Sequence, residues 1–491
     1  MKTATIIIRD EVNIKIEGLE LEARKKLVNK FKYDIPYARY LPAVRLGRWD
    51  GKATFFQLGG STYVNLLPEI IPVLEELNYD IELDDQRTYR TTFDFTPVKE
   101  DTFSHILWPK GHPLAGKPIM MRDYQCEIVN NFLANPQSMQ EIATGAGKTI
   151  MTAALSHSCE PYGRTVVIVP NKSLVTQTED DYKNLGLDVG VYFGDRKEWG
   201  RTHTICTWQS LNVLLKNTKA GTAAEDCTIM EFLEDVVCVM VDEVHMAKAE
   251  ALKTLLTSVM AHIPIRWGLT GTIPKEMFEF QSLHVSLGPV TNKLAASELQ
   301  EMGHLSNCHV NIIQLQDHVE YSNYQSELKY LLEESGRLDT MAELIARVNE
   351  TGNTLVLVDR ISAGKELVDR LGDRAVFVSG ATKGTERKEH YDEVANVDDK
   401  IIVATYGIAA VGINIPRIFN LVLVEPGKSF VRVIQSIGRG IRKAEDKDFV
   451  QIWDVTSTCK FAKRHLTKRK QFYKEAKYPF TQEKLEWMKI K

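Results

Sequence analysis

Short, nearly unbroken apolar runs recur along the middle of the chain with helical stretches between them, and they restrict the fold more than any other feature. One series runs through Val166-Val167-Ile168-Val169, Thr204-Ile205-Cys206 and Val236-Val237-Cys238-Val239-Met240-Val241. A second runs through Leu355-Val356-Leu357-Val358, Ala375-Val376-Phe377-Val378, Ile401-Ile402-Val403 and Leu421-Val422-Leu423-Val424. A strand with no polar face has to be covered on both sides, as a parallel strand between two layers of helices is. Strands alternating with helices therefore predict open, doubly wound α/β sheets. The series occurs twice, on either side of about residue 290, so two α/β lobes are expected in a chain of 491 residues, which is too long for one core.

The first 95 or so residues lack this pattern. A strand-like start leads to a helix predicted over residues 19–31, an aromatic and basic stretch at Tyr37-Ala38-Arg39-Tyr40-Leu41-Pro42, and a second helix over 69–77. The expected organisation is a small α+β domain (1–95), a first lobe (96–290), a second lobe (291–455) and a short, basic, helical C-terminal extension (456–491). A linker is expected over 96–113, which holds three prolines and a glycine.

Apolar residues make up 44% and charged residues 26%, which describes a soluble globular chain. No apolar run reaches the ~18–20 residues that span a bilayer. The N-terminus meets Arg9-Asp10 too early for a secretory segment, so a cytoplasmic protein with no membrane partner is expected. Seven scattered cysteines form no CxxC pair, which suggests buried thiols over disulfides or zinc. The net charge of −4 does not advertise nucleic acid. Locally, though, nine Lys/Arg fall between Arg24 and Lys52 against Asp34 and Asp50, and eight between Lys460 and Lys477 against Glu475. Each patch reads either as a phosphate-binding face or as solvated surface.

Ala143-Thr144-Gly145-Ala146-Gly147-Lys148-Thr149 leads into a helix-like stretch. A glycine loop entering a helix N-terminus aims backbone N–H groups at phosphates, with Lys148 reaching the β- and γ-phosphates and Thr149 a ligand for Mg²⁺. The strict pattern asks for glycine where Ile142 stands. Asp242-Glu243-Val244-His245 directly follows the run ending at Val241. A carboxylate ending a parallel strand lies where such sheets bind ligands, so Asp242 is expected to hold Mg²⁺ and Glu243 to deprotonate the attacking water. Upstream, Gln125 offers a donor and an acceptor suited to the adenine edge of ATP. Leu269-Thr270-Gly271-Thr272 places hydroxyls where they could relay the γ-phosphate state.

A lone ATPase does not need the second sheet, and this one ends in Gln435-Ser436-Ile437-Gly438-Arg439-Gly440-Ile441-Arg442. Arg439 and Arg442, three apart, would share a helix face. Guanidinium groups that reach the γ-phosphate only on closure make hydrolysis depend on lobe position. Ala404-Thr405-Tyr406-Gly407 with Gly412-Ile413-Asn414 would contribute nucleotide and strand contacts.

Across roughly residues 120–445 this ordered set resembles the motifs of superfamily 2 helicases. The match runs from a Q-type motif at Arg122–Gln125 through motif I at Ala143–Thr149 and motif Ia at Val169–Val175 to a Thr207-Trp208-Gln209-Ser210 element. Motif II follows at Asp242–His245, III at Leu269–Thr272, IV near Val358-Asp359-Arg360, V at Thr405–Asn414 and VI at Gln435–Arg442. The resemblance implies two RecA-like lobes sharing ATP and Mg²⁺. Arg122, Gln125, Thr144, Gly145, Ala146, Gly147, Lys148, Thr149, Gly412 and Asn414 would contact the nucleotide, and Gln435, Arg439 and Arg442 would join Lys148, Asp242 and Glu243 in catalysis. Lys172, Thr207, Gln209, Arg360 and Thr405 would grip the phosphates of one DNA strand.

Asp-Glu-Val-His and Leu-Thr-Gly-Thr stand where DEAD-box RNA helicases have Asp-Glu-Ala-Asp and Ser-Ala-Thr. The chain is more similar to phage UvsW-type branch-migration helicases, whose small N-terminal domain shares the pattern written here Pro42-Ala43-Val44-Arg45-Leu46-Gly47-Arg48-Trp49-Asp50-Gly51. That resemblance implies unwinding and migration of forks, Holliday junctions and recombination loops in phage replication, recombination and repair, by a monomer in the host cytoplasm. Two readings of Arg39, Arg45, Arg48 and Lys52 around Trp49 and Tyr40 stay open: an Arg/aromatic cluster for the duplex backbone or for stacking at an unpaired junction base, or a tryptophan in the domain core with solvated arginines. Two other functions also stay open, a motor subunit of a restriction enzyme and an ATP-gated DNA clamp or annealing factor that does not move. The stretch after Arg442 carries no nuclease signature, which weighs against the first.

Overall fold

The computed structural model describes residues 2–88, 92–110, 112, 114–222, 227–246, 249–382, 384–394, 396–408, 415, 417–429, 433, 436–438, 440–444 and 446–487. It divides into two compact units, residues 1–142 with 147–293, and residues 143–146 with 294–491.

The first unit holds two sheets. The smaller has the spatial order Ser61–Tyr63, Asn13–Glu17, Lys2–Ile8 and Tyr79–Asp85. Ile6, Ile8, Ile14 and Ile16 alternate inward along it and pack on Leu27 of the helix Leu21–Lys30, on Phe31 just after it, and on Ile70 and Leu74 of the helix Leu67–Glu76. A separate antiparallel ribbon pairs Lys32–Asp34 with Lys52–Thr54. The larger sheet has eight strands in the order Arg196–Lys197, Val189–Phe193, His203–Thr207, Arg164–Val169, Val236–Asp242, Ile265–Thr270, Gln137–Ile142 and Val290–Leu294. Its neighbours from Val189–Phe193 through Gln137–Ile142 are parallel, as covered apolar strands require.

One strand of that sheet carries no apolar run. Gln137–Ile142, which feeds the glycine loop, buries Ser138 and Gln140 completely. Gln140 Nε2 donates to Ser138 Oγ at 2.9 Å, and Thr291 Oγ1 of the neighbouring strand donates to the same oxygen at 3.0 Å. The predicted linker is packed: Val98 and Phe103 are buried, and Asn130 of the helix Asp123–Ala134 closes two hydrogen bonds on the Val98 backbone at 2.8 and 2.9 Å.

The small sheet is built onto the large one. Phe278 and Val285 of the helix Met277–Leu287 belong to its core, and Phe55 packs on Phe278 with ring centroids 5.9 Å apart. The loop after Lys2–Ile8 docks by Glu11 N to Ala261 O at 3.1 Å and by Asn13 Nδ2 to Thr257 O at 2.8 Å. Beneath that loop Arg266 is fully buried and donates to the carbonyls of Ser286 and Met260 at 2.8 and 2.7 Å, and also to those of Ile263 and Leu256. Burial draws this guanidinium down to about 10.

The second unit is one seven-stranded, wholly parallel sheet. Its order is Ala375–Val378, Ile401–Thr405, Thr354–Val358, Asn420–Val424, Phe449–Ser457, Asn307–Leu315 and Phe480–Leu485. The C-terminal extension is helical over Lys460–Glu475 and then supplies the edge strand Phe480–Leu485. Arg469 is buried there rather than solvated, bidentate on Asp454 at 2.8 and 2.9 Å. All seven cysteines are buried. Among the described residues no helix is long and apolar enough to cross a membrane.

Candidate functional site

Each parallel sheet gathers its candidate residues at the carboxyl ends of its strands, where the chain turns into a helix. In the first unit, Gln137–Ile142 leads through the loop into the helix Lys148–Cys159. Gly145 and Gly147 hold left-handed φ of 94° and 84°. At Gly147 a Cβ would lie 2.3 Å from Gln125 Nε2, so only glycine fits there. Gln125 itself is buried, and its Oε1 accepts from Arg122 N at 2.8 Å. Its amide is thus packed behind the loop and caps the helix Asp123–Ala134. The first half of the loop, Ala143–Ala146, groups with the second unit, where a Cβ on Gly438 would come within 3.1 Å of Thr144 Cβ.

Asp242 ends the strand Val236–Asp242 and accepts from Glu243 N at 2.9 Å. Glu243 turns the chain with φ 51°, a left-handed conformation rare outside glycine. Its Oε1 stands 3.1 Å from Lys148 Nζ, both side chains nearly buried. Its Oε2 stands 3.5 Å from His245 Nδ1, which shares a 2.6 Å hydrogen bond with Thr270 Oγ1. Burial, only partly offset by Glu243, holds the imidazole below its ordinary pKa and therefore neutral near pH 7. A continuous polar path thus runs from Lys148 through Glu243 and His245 to Thr270 and on to Thr272, whose N–H donates to Thr270 Oγ1 at 3.2 Å. The sequence placed all five residues in motifs but gave no sign that His245 joins two of them.

The donor set suits a magnesium nucleotide. An ammonium, a hydroxyl and a strand-end carboxylate border a loop stripped of Cβ atoms at Gly147, so Lys148, Thr149 and Asp242 could hold phosphates and Mg²⁺.

Other candidates follow the same edge. Lys172 is exposed in the first turn after Arg164–Val169. Gln209 is exposed after His203–Thr207, but Thr207 is buried and its hydroxyl caps the helix Trp208–Ala220 through Ser210 N at 3.3 Å. In the second unit Thr405 ends Ile401–Thr405, and Arg360 follows Thr354–Val358, paired with Glu333 at 3.2 Å. Arg442 itself lies outside a helix and forms an isolated bridge with Leu305. Gln435, Arg439, Gly412 and Asn414 lie outside the described residues. Lys447, which sequence gave no reason to notice, is buried just behind this motif, its Nζ 2.7 and 2.6 Å from the carbonyl oxygens of Gly440 and Arg442.

Arg45, Arg48 and Trp49 stand apart from both sheet edges. The arginines are exposed. Trp49 is partly buried against the small domain's core and donates from Nε1 to Lys52 O at 3.0 Å.

Comparison with known proteins gives two tandem matches: residues 118–275 to the family described as type III restriction enzyme, res subunit, and residues 336–444 to the helicase conserved C-terminal domain. Together with the two parallel sheets they define an ATP-hydrolysing helicase of superfamily 2. Within that class the chain is similar to the ATP-dependent DNA helicase uvsW of Enterobacteria phage T4, 24% identical over 90% of this chain and 88% of that protein. It is also 24% identical to the DNA 3'-5' helicase XPB of Kineococcus radiotolerans, over 73% of this chain and 64% of the relative. A solved structure of the ATP-dependent type ISP restriction-modification enzyme LlaBIII bound to DNA shares the fold, with a TM-score of 0.55 at 15% identity over 88% of this chain and 36% of that one.

Proposed function

We propose that this helicase acts on DNA, and on branched DNA in particular: forks, Holliday junctions and recombination loops, in phage replication, recombination and repair. The observation that supports it most is the polar path Lys148–Glu243–His245–Thr270, which ties phosphate binding to the segment entering the helix Met277–Leu287, on which the small N-terminal domain is built. Similarity to the T4 ATP-dependent DNA helicase along 90% of the chain supports DNA as the substrate.

In this mechanism Lys148 leaves Glu243 for the β- and γ-phosphates, and Thr149 and Asp242 would hold Mg²⁺, which would supply charge to neutralise phosphate oxygens. Glu243, freed of its cation, takes the proton of the attacking water. His245, neutral, keeps its bond to Thr270 and passes on the position of Glu243. Arg442 supplies charge to the γ-phosphate and makes turnover depend on the second sheet. Lys172, Gln209, Arg360 and Thr405 contact one strand's backbone. Thr207 acts as a helix cap.

The test compares ATPase and unwinding on single-stranded, duplex, forked and four-way DNA, with RNA alongside. Strongest activity on branched DNA is expected, and no activity on any DNA would end this reading. ATP-dependent cleavage of a plasmid would instead favour a restriction motor. Arg442→Ala should leave ATP binding nearly intact and lower turnover by about a thousandfold or more, whereas equal loss of both would remove the finger role.

A further inference from the structure

The ribbon Lys32–Asp34 with Lys52–Thr54 is closed by a compact excursion over residues 35–51. Ile35 N donates to Gly51 O at 2.9 Å, and the chain folds back at Gly47, whose φ is 68°, so that Arg48 N and Trp49 N both reach Ala43 O. The excursion has its own small interior. A Cβ on Gly51 would touch Ala38 Cβ at 3.3 Å and Val44 at 3.5 Å, and Trp49 closes it. What remains outside is apolar and cationic together. Tyr40 is 60% exposed and Leu46 65%, with Leu41 beside them. Arg39 lies over the Tyr40 ring, 4.8 Å from its centroid, and donates to its hydroxyl at 2.8 Å. Arg45 and Arg48 are exposed. No acidic residue occurs between Asp34 and Asp50, and those two pair with Lys52 and Lys32 at the base of the ribbon.

An exposed tyrosine and leucine cost solubility and do nothing for the core, since Ala38, Val44 and Trp49 already fill it. The interior of a duplex offers phosphates but no open base face. A branch point offers both, because base pairs end there while the phosphates turn away. We propose that the excursion over residues 36–50 is the branch-reading tip of this helicase: Tyr40 and Leu46 stack on the terminal base pair, and Arg39, Arg45 and Arg48 hold the diverging phosphates. This rests on the branched-DNA reading above; of the two aromatic residues in the sequence-predicted cluster it keeps Tyr40, replaces Trp49, and adds the uncovered Leu46.

The tip is also fixed to the motor. Tyr37 at its base donates to Glu250 Oε2 at 3.0 Å, in the helix Ala249–Thr257 that follows the Asp242–His245 segment. Lys253 of the same helix lies over Phe55, just past the ribbon, 4.5 Å from the ring centroid.

The test uses the full chain and the double variant Tyr40→Ala/Leu46→Ser, with Trp49→Phe as a control that keeps the inward packing. Binding is measured on a forked duplex carrying a fluorescent adenine analogue at the junction and on a linear duplex of equal length. The double variant should lose fork affinity by about tenfold or more, the size of one lost base stack, together with the junction fluorescence change. Its linear-duplex binding, its ATPase stimulated by single-stranded DNA and its melting temperature should stay within about twofold or a few degrees of the parent. Arg39→Ala/Arg45→Ala/Arg48→Ala should weaken fork binding and lower its salt slope. Trp49→Phe should keep the fork preference. The tip assignment is overturned if the double variant still prefers forks, if Trp49→Phe alone loses that preference, or if the double variant changes only self-association. A parent protein that ignores every DNA would instead sink the branched-DNA reading itself.

Discussion

Lys447 shows how one buried cation can set the backbone of a catalytic motif. Its ammonium reaches the carbonyl oxygens of Gly440 and Arg442 at 2.7 and 2.6 Å, on the two sides of Ile441. Burial first, then the neighbouring Arg442, pulls its pKa down to about 7, with Asp446 opposing weakly. A neutral amine keeps two N–H donors, so both hydrogen bonds survive loss of the proton. Between about pH 7 and the ordinary lysine value near 10.4 the unfolded chain binds a proton that the folded chain has released. Native stability attributable to this group therefore rises with pH across that window, by up to about 1.4 kcal/mol per pH unit, and is absent below it. Denaturant unfolding at several pH values should show this rise in the parent and lose it in Lys447→Met. Parallel curves for the two would mean that Lys447 stays charged throughout.

At the scale of elements, the C-terminal helix Lys460–Glu475 illustrates what charge counting in a sequence hides. Eight cations suggested a basic face, yet Arg469 is spent inside, held by Asp454 while Tyr473 donates to the same carboxylate. The helix N-terminus is spoken for as well, since Glu327 accepts from Phe461 N and Ala462 N at 3.0 and 2.7 Å. Arg469→Ala should cost about 3–5 kcal/mol, measured by urea or thermal unfolding, because it strands a buried carboxylate. A loss below about 1 kcal/mol would mean that Asp454 finds water or another donor. The β-branched runs made most of the parallel strands legible, because a strand covered on both faces has no room for polar residues. Gln137–Ile142 escaped that logic by satisfying Ser138 and Gln140 with each other and with Thr291. The glycine loop, the strand-end Asp242 and the partner Glu243 were legible as motifs. The role of Gln125 behind Gly147, the inward turn of Trp49 and the place of Lys447 depend on side-chain packing between segments far apart in sequence, which spacing alone does not encode.

At the scale of the molecule, the small N-terminal domain and the first large sheet fall in one compact unit. Phe278, 6% exposed, belongs at once to the helix after Thr272 and to the small domain's core. Phe278→Ala should destabilise both parts together by about 3–5 kcal/mol, read as equal acceleration of hydrogen exchange in the strands Lys2–Ile8 and Ile265–Thr270. Faster exchange in Lys2–Ile8 alone would make the small domain an independently folding module. The Arg266 guanidinium adds a further consequence, because four main-chain oxygens converge on it while the carboxylates of Asp10 and Glu11 act on it only through space. Such a centre clamps the turn that receives Glu11 and Asn13 through direct bonds to carbonyl oxygens, so the seam is stiff towards bending and yet intolerant of any substitute lacking five donors. Strain applied to the small domain would accordingly arrive at the first large sheet undamped, as a push on a handle reaches the tool it is forged with.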